Sequence, residues 1–266
     1  MTSTDTDMDF KKTVEKITEF IRTSVEKANA GGAVLGLSGG VDSSVTAFLS
    51  VQALGSENVL GLLLPEKGIT REDDVEDALL IVKKLGIEYK IVEISGIIDV
   101  FASNIPNYDH AARVFNGNLK ARTRMCILYY YANLLNRLVI GTCNRTEILL
   151  GYGTKYGDAG VDILPLGDLY KTQVQALATY LKVPEQIIQK APSAGLWIGQ
   201  TDEEDFGISY KLIDAILKKR IDEGKKYIDV KKELGISSDA VEGIIQRIEE
   251  NKHKRETAPT PKIWVN

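Results

Sequence analysis

Short runs of Val, Ile and Leu alternating with helix-patterned segments predict a doubly wound parallel α/β sheet covered by helices on both faces. Two further observations support that class. The first apolar run leads straight into "SGGVDSS", a glycine and hydroxyl loop beyond the carboxyl end of the first strand, where ligands sit in such sheets. After about residue 172 the strand signal fades and helical patterns alone remain, which predicts a helical C-terminal extension.

The elements follow in order. Residues 10 to 29 carry Phe10, Val14, Ile17, Phe20, Ile21, Val25 and Ala28 at steps of three and four, and "NAGG" supplies the stop of an amphipathic helix. Runs at 33 to 37, 58 to 64, 89 to 94 and 137 to 141 suit buried strands and are too short for helices. Helices are expected at 43 to 54, 72 to 85 and 110 to 136 between them. The extension reads as 172 to 182, a Pro-initiated segment from 184 to 190, then 203 to 219, 225 to 234 and 237 to 250. No internal repeat or Pro/Gly-rich linker interrupts the chain, so 10 to 266 is expected to form a single domain behind a disordered tail at 1 to 9.

Of the 266 residues, 44% are hydrophobic and 26% charged, the balance of a globular protein with a sizeable core. No apolar run reaches the roughly 18 to 20 residues of a membrane span. The first residues, "MTSTDTDMD", are polar and acidic where a signal peptide would be basic and then apolar, so a cytoplasmic protein without a membrane partner is expected. A net charge of −4 argues against a nucleic-acid partner, whose phosphates call for a broad basic surface. Cys126 and Cys143 form no CxxC and have no His cluster beside them, so both are expected to be buried reduced thiols.

The loop after the first strand is neither of two common phosphate motifs. Gly39 and Gly40 lead to Val41 and Asp42 where a Walker loop needs Gly-Lys, and the glycines are wrongly spaced for the dinucleotide fingerprint. The two glycines let backbone N–H groups approach an anion, the next helix points its positive end at it, and Ser38, Ser43 and Ser44 add uncharged donors. Asp42 would repel such an anion unless a cation lay between them, which makes it a candidate Mg²⁺ ligand. A plain helix cap at Asp42 or Ser43 would explain neither the paired glycines nor the upstream serine.

"LSGGVDSS" resembles the signature of the N-type ATP pyrophosphatases, which cleave ATP between its α and β phosphates. Three further stretches, "GNLKARTRM" at 117 to 125, "GTCNRTEILLGYGTKYGDAGVDILPLGDLYKTQV" at 141 to 174 and "KAPSAGLWIGQTDEEDFG" at 190 to 207, together with "HKR" at 253 to 255, narrow the likeness. In this order they are similar to the ammonia-dependent NAD synthetase family, from about Phe10 to Lys254. The resemblance implies a Rossmann-like fold of the adenine nucleotide alpha hydrolase type, usually as a homodimer. It implies ATP, deamido-NAD and ammonia as substrates, Mg²⁺ as cofactor, and NAD, AMP and pyrophosphate as products of an adenylated carboxylate.

The matched positions then take roles. Gly36, Leu37, Ser38, Gly39, Gly40, Val41, Asp42 and Ser43 would span the ATP contact, joined by Thr142, Lys171 and Ser193, with Lys190 a further cation nearby. Asp42 and Glu147 would hold the metal, and Asp42 and Lys171 are the expected catalytic pair. Arg122, Lys155, Asp162, His253 and Lys254 would bind deamido-NAD, assisted by Asp158. The stretch from 193 to 206, with Gly195, Leu196, Trp197 and Gly199, reads as a lid that closes over ATP and excludes water.

Nothing in the chain resembles the amidase region of glutamine-dependent relatives, so free ammonia is the expected donor and a separate glutaminase stays open. Two other readings share the loop: a tRNA-modifying pyrophosphatase, which would want a basic surface and reactive cysteines, and a catalytically inactive nucleotide sensor, which would not need both Asp42 and Glu147. Tyr129, Tyr130 and Tyr131 suit either a subunit interface or core packing.

Overall fold

The computed structural model describes residues 8–263. Helix α1 spans Phe10–Lys27 and starts at Asp9, whose carboxylate accepts the Lys12 N–H at 3.1 Å. The tail expected over 1 to 9 lies outside the described residues except for this cap and Met8, which packs on the core. The strands are β1 (Ala33–Gly36), β2 (Val59–Leu63), β3 (Glu88–Ile91) and β4 (Leu138–Val139). All pair in parallel, in the order β3-β2-β1-β4. Between them run α2 (Val41–Leu54), α3 (Glu72–Leu85), α4 (Ser95–Asn104) and α5 (Arg113–Leu135).

Strand alternation sorts the core into two layers, because successive side chains leave opposite faces of a sheet. Ala33, Leu35, Val59, Leu63 and Ile140 join the layer under α1, α2 and α3, while Val34, Leu60, Leu62 and Val139 join the one under α4 and α5. Since β2 and β4 lie on either side of β1, the chain reverses its winding there. The crevice beyond the carboxyl ends of β1 and β4 is therefore the switch point where ligands bind in such sheets.

After β4 come α6 (Arg145–Leu150), α7 (Lys171–Tyr180), α8 (Glu185–Ile188), α9 (Asp202–Phe206), α10 (Tyr210–Leu217), α11 (Tyr227–Leu234), α12 (Ser238–Glu250) and α13 (Lys252–Arg255). The helices from α10 onward pack around Ile213, Ile216, Leu217, Val230, Val241 and Ile244, a separate cluster that also takes in Leu150 and Tyr170. The extension thus rests on the two helices that follow the switch point.

Four expectations change. The helix expected over 203 to 219 is two helices, because Gly207 turns left-handed at φ 73° and ends α9 before Ser209 caps α10. The run at 89 to 94 is an exposed edge strand and not a buried one, with Tyr89 and Ile91 open to solvent. Helix α4 was not among the expected helices; it buries Ile98, while Ile97, Val100 and Phe101, at steps of three and four, form a stripe that stays exposed. Cys126 is exposed on α5, whereas Cys143 is buried. Among the described residues no helix is long and apolar enough to cross a membrane.

Candidate active site

The glycine loop, residues 36 to 43, leaves β1 and enters α2 at the switch point. Gly39 adopts φ 77°, and a Cβ there would sit 2.1 Å from the Asp74 carbonyl oxygen, so both the backbone angle and the approach of α3 require glycine. Gly40 caps α2 without a side chain. Ser43 donates to the Gly40 carbonyl at 3.0 Å, accepts the Ser38 N–H at 3.3 Å and lies 3.1 Å from the Ser38 hydroxyl. The loop is thus held by its own hydroxyls, with Ser38 exposed at its tip and Leu37 and Val41 buried beneath.

Asp42 sits in the first turn of α2 and Glu147 in the first turn of α6. Both point at Lys171, the first residue of α7, which is 2% exposed. Its ammonium contacts the Asp42 carboxylate and lies 3.8 Å from that of Glu147. Burial alone would lower the Lys171 pKa, but Asp42 and Glu147 outweigh it and raise the pKa. Burial, and then the like charge of Asp42, push the Glu147 carboxyl up to about 8. A carboxyl in that state gains its charge when a cation arrives, which suits it to ligate one.

Three helices hold this cluster. Asn144, fully buried, caps α6 by accepting the Glu147 N–H at 3.0 Å and donates to Asp42 Oδ1 at 2.9 Å. Asp214, from α10, accepts the Thr146 hydroxyl at 2.6 Å and both the N–H and hydroxyl of Thr172 at 2.8 Å, tying α6 to α7. The ring of Tyr210 lies 5.2 Å below the Lys171 ammonium. Its hydroxyl donates to Asp202, which also receives the Tyr152 hydroxyl.

The remaining expected residues fall into two groups. Thr142 is half-buried at the end of the β4 run, beside the site. Ser193 is exposed, and its hydroxyl is engaged within its own loop, donating to the Gln200 carbonyl at 2.7 Å and accepting the Gly195 N–H. Lys190 binds Asp74 at 2.9 Å and Asp77, so its charge is matched by α3, while it also reaches the Gly39 carbonyl at 3.4 Å. Across the cleft, Arg122 donates to the Lys155 carbonyl, Lys155 to that of His253, and Lys254 to those of Gly151 and Gly153. These four residues therefore come together, and the nearby Cys143 lies 3.9 Å from the Asp158 carboxylate.

Asp162 stands apart from them. It accepts the Val139 N–H at 2.7 Å and the Tyr129 hydroxyl at 3.0 Å, and it borders a cavity of about 300 Å³ with Tyr129, Asn133 and Arg137. Tyr131 packs on the layer under α5 and Tyr130 is exposed, so the three tyrosines divide between packing and surface. Sequence reasoning missed Asn144, Asp202, Tyr210 and Asp214. Only Asn144 carried a readable signal, the capping box "NRTE".

A switch-point crevice floored by this anion loop, with an ammonium set between two carboxylates behind it, is the arrangement of a nucleotide-using ligase on the adenine nucleotide alpha hydrolase type of α/β fold. Comparison with known proteins makes the class specific. The family model described as NAD synthase matches residues 13–258, and the chain belongs to that family. It is 51% identical over 257 residues to the NH(3)-dependent NAD(+) synthetase of Methanosarcina acetivorans, covering 97% of this chain and 100% of that one. Among solved structures it resembles the NMN synthetase of Francisella tularensis, with TM-score 0.85, 39% identity and 97% and 100% of the two chains covered. It also resembles the NH3-dependent NAD synthetase of Campylobacter jejuni in complex with the nitrate ion, with TM-score 0.81, 37% identity and 96% and 100% covered.

Proposed function

We propose that this chain amidates deamido-NAD with ammonia in a reaction driven by ATP. The observation that carries the reading is the Lys171 ammonium set between Asp42 and Glu147 at the mouth of the glycine loop. A carboxylate does not react with ammonia in water, so it must first gain a leaving group. Its oxygen attacks the α phosphate of ATP, the bond to the bridging oxygen breaks, and pyrophosphate leaves. Ammonia then adds to the acyl carbon of the adenylate, AMP departs with one carboxylate oxygen, and a proton is released.

The loop from Gly36 to Ser43 cradles the departing pyrophosphate by its N–H groups, and Lys171 aligns and neutralises the phosphates. Thr142 and Ser193 complete the nucleotide contact. Among the described residues no three His, Cys, Asp or Glu side chains form a metal site by themselves. Two carboxylates with the rest of the shell left to phosphate and water suit Mg²⁺, so Asp42 and Glu147 would hold it. When bound, the ion supplies positive charge against the triphosphate.

For the second substrate, Arg122, Lys155, His253 and Lys254 make a basic wall suited to two phosphates, and Asp162, apart from that wall and already accepting from Tyr129 and Val139, would meet ribose hydroxyls only with its remaining lone pairs. A second copy of the chain is placed on the face of α4 and α5, where Val100, Phe115, Tyr130 and Leu134 are all more than 60% exposed, giving a homodimer. The reading sets the enzyme in the cytoplasm, with free ammonia as donor.

The lid takes its footing on α5. The tip residue Leu196 lies against Gly117, where a Cβ would come within 3.1 Å of its Cδ1, and Lys120 donates to the Leu196 carbonyl at 3.1 Å while pairing with Glu66 at 2.9 Å. Lys120→Met is expected to speed proteolysis within residues 193 to 200, and ATP with deamido-NAD should slow it in the unaltered protein. Cleavage indifferent to both substrates would remove the lid from the account.

The likeness to an NMN synthetase favours one second reading, amidation of the mononucleotide in place of the dinucleotide. Parallel assays with deamido-NAD and nicotinate mononucleotide, each with ammonium or glutamine, decide between them. The higher kcat/KM is expected for deamido-NAD with ammonium. Preference for the mononucleotide would leave the basic wall and Asp162 without their assigned ligand.

A further inference from the structure

We infer that Asn144 is a positioning residue that sets the two metal carboxylates at a fixed separation, an inference that rests on the Mg²⁺ reading above. Asp42 and Glu147 are 105 positions apart in the chain, in the first turns of α2 and α6. One buried side chain touches both of their elements. Its Oδ1 accepts the Glu147 N–H at 3.0 Å and its Nδ2 donates to Asp42 Oδ1 at 2.9 Å, while the Asn144 backbone N–H donates to Glu147 Oε2 at 3.1 Å. An amide is the group for this task, because it offers an acceptor to the helix and a donor to the carboxylate without adding charge.

The geometry assigns each carboxylate one oxygen held by Asn144 and one turned to the Lys171 ammonium, which a bound cation would have to share or displace. Asp42 Oδ1 is taken by Asn144 and Glu147 Oε2 by the Asn144 backbone. Their other oxygens, Asp42 Oδ2 and Glu147 Oε1, are the two that face Lys171. These are the atoms a cation would draw upon, and Asn144 is what turns them inward. An N-cap alone needs only the acceptor, which serine supplies, and tolerates even glycine, so neither would need the Nδ2 donor that holds Asp42 Oδ1.

Asn144→Gly is tolerated at an N-cap and deletes the donor outright, and Asn144→Ser keeps a capping oxygen but draws its only donor back by the length of the amide. Each is to be compared with the unaltered protein by melting temperature, by the Mg²⁺ concentration that half-saturates turnover, and by Mn²⁺ binding followed by electron paramagnetic resonance with α,β-methylene-ATP present. The expected result is a rise of about tenfold or more in both metal constants, the cost typical of losing an outer-shell partner, in protein that still melts cooperatively. Metal constants unchanged in both variants would overturn the inference, even if both melt at lower temperature, since that pattern belongs to a cap alone. Asp42→Asn and Glu147→Gln serve as references. If they bind Mn²⁺ as tightly as the unaltered protein, the metal reading fails and the inference with it.

Discussion

Asp42→Asn is expected to lower kcat/KM about a thousandfold, or roughly 4 kcal/mol of transition-state stabilisation, while leaving the protein folded. The substitution is isosteric and its amide oxygen can still accept from Asn144, so the loop and α2 keep their shape. What is lost is charge. Lys171 retains Glu147 as a partner at 3.8 Å, which limits the damage to stability. Steady-state kinetics beside a melting curve would separate the two effects. Activity close to that of the unaltered enzyme would mean that Asp42 neither holds a cation nor orients the lysine.

Lys171→Met should be the more destructive change, because it harms both the reaction and the fold. The side chain lies between Asp42 and Glu147 and is 2% exposed, so its removal leaves the Asp42 charge without its partner at a cost of about 3 kcal/mol. Turnover is expected to fall at least about a hundredfold with the phosphate-aligning cation gone.

The variant should also expose a pH dependence already present in the unaltered protein. Glu147 is pushed up to about 8 from an ordinary 4.5, so above pH 4.5 the unfolded chain gives up a proton that the folded one keeps. Stability therefore falls as pH rises between about 4.5 and 8 in protein free of metal. Removing Lys171 lets that fall continue to higher pH, and Glu147→Gln makes it shallower, leaving the smaller part due to the buried carboxyls of Asp158 and Asp202, whose pKa values burial also raises. Melting temperatures measured across this range in chelator would show the three slopes, and a flat profile in Lys171→Met would contradict the electrostatic picture of the cluster.

How much of this was legible depends on distance along the chain. The loop was readable because strand, glycines, hydroxyls and helix are contiguous, whereas the switch point appeared only with the strand order β3-β2-β1-β4. The pairing of Asp42 with Lys171 spans 129 positions, which no periodicity can join, and it came from motifs matched in register to a family. Asn144 was half-legible: "NRTE" announces a cap, but its second bond, to a residue 102 positions away, does not show. Asp202, Tyr210 and Asp214 read as ordinary helix residues because their meaning lies in hydroxyls and lysines brought to them by packing. Cys126 was misplaced because α5 is apolar on several sides, so its pattern does not say which face meets solvent.

The central claim is that the carboxylate of deamido-NAD is activated at the α phosphate of ATP, in the crevice between the glycine loop and α6. It is tested most directly by supplying deamido-NAD labelled with ¹⁸O in that carboxylate, together with ATP, Mg²⁺ and ammonium, and weighing the products by mass spectrometry. The account predicts one labelled oxygen in AMP for each NAD formed, with unlabelled pyrophosphate. Label recovered in orthophosphate alongside ADP, or AMP released without label, would contradict it.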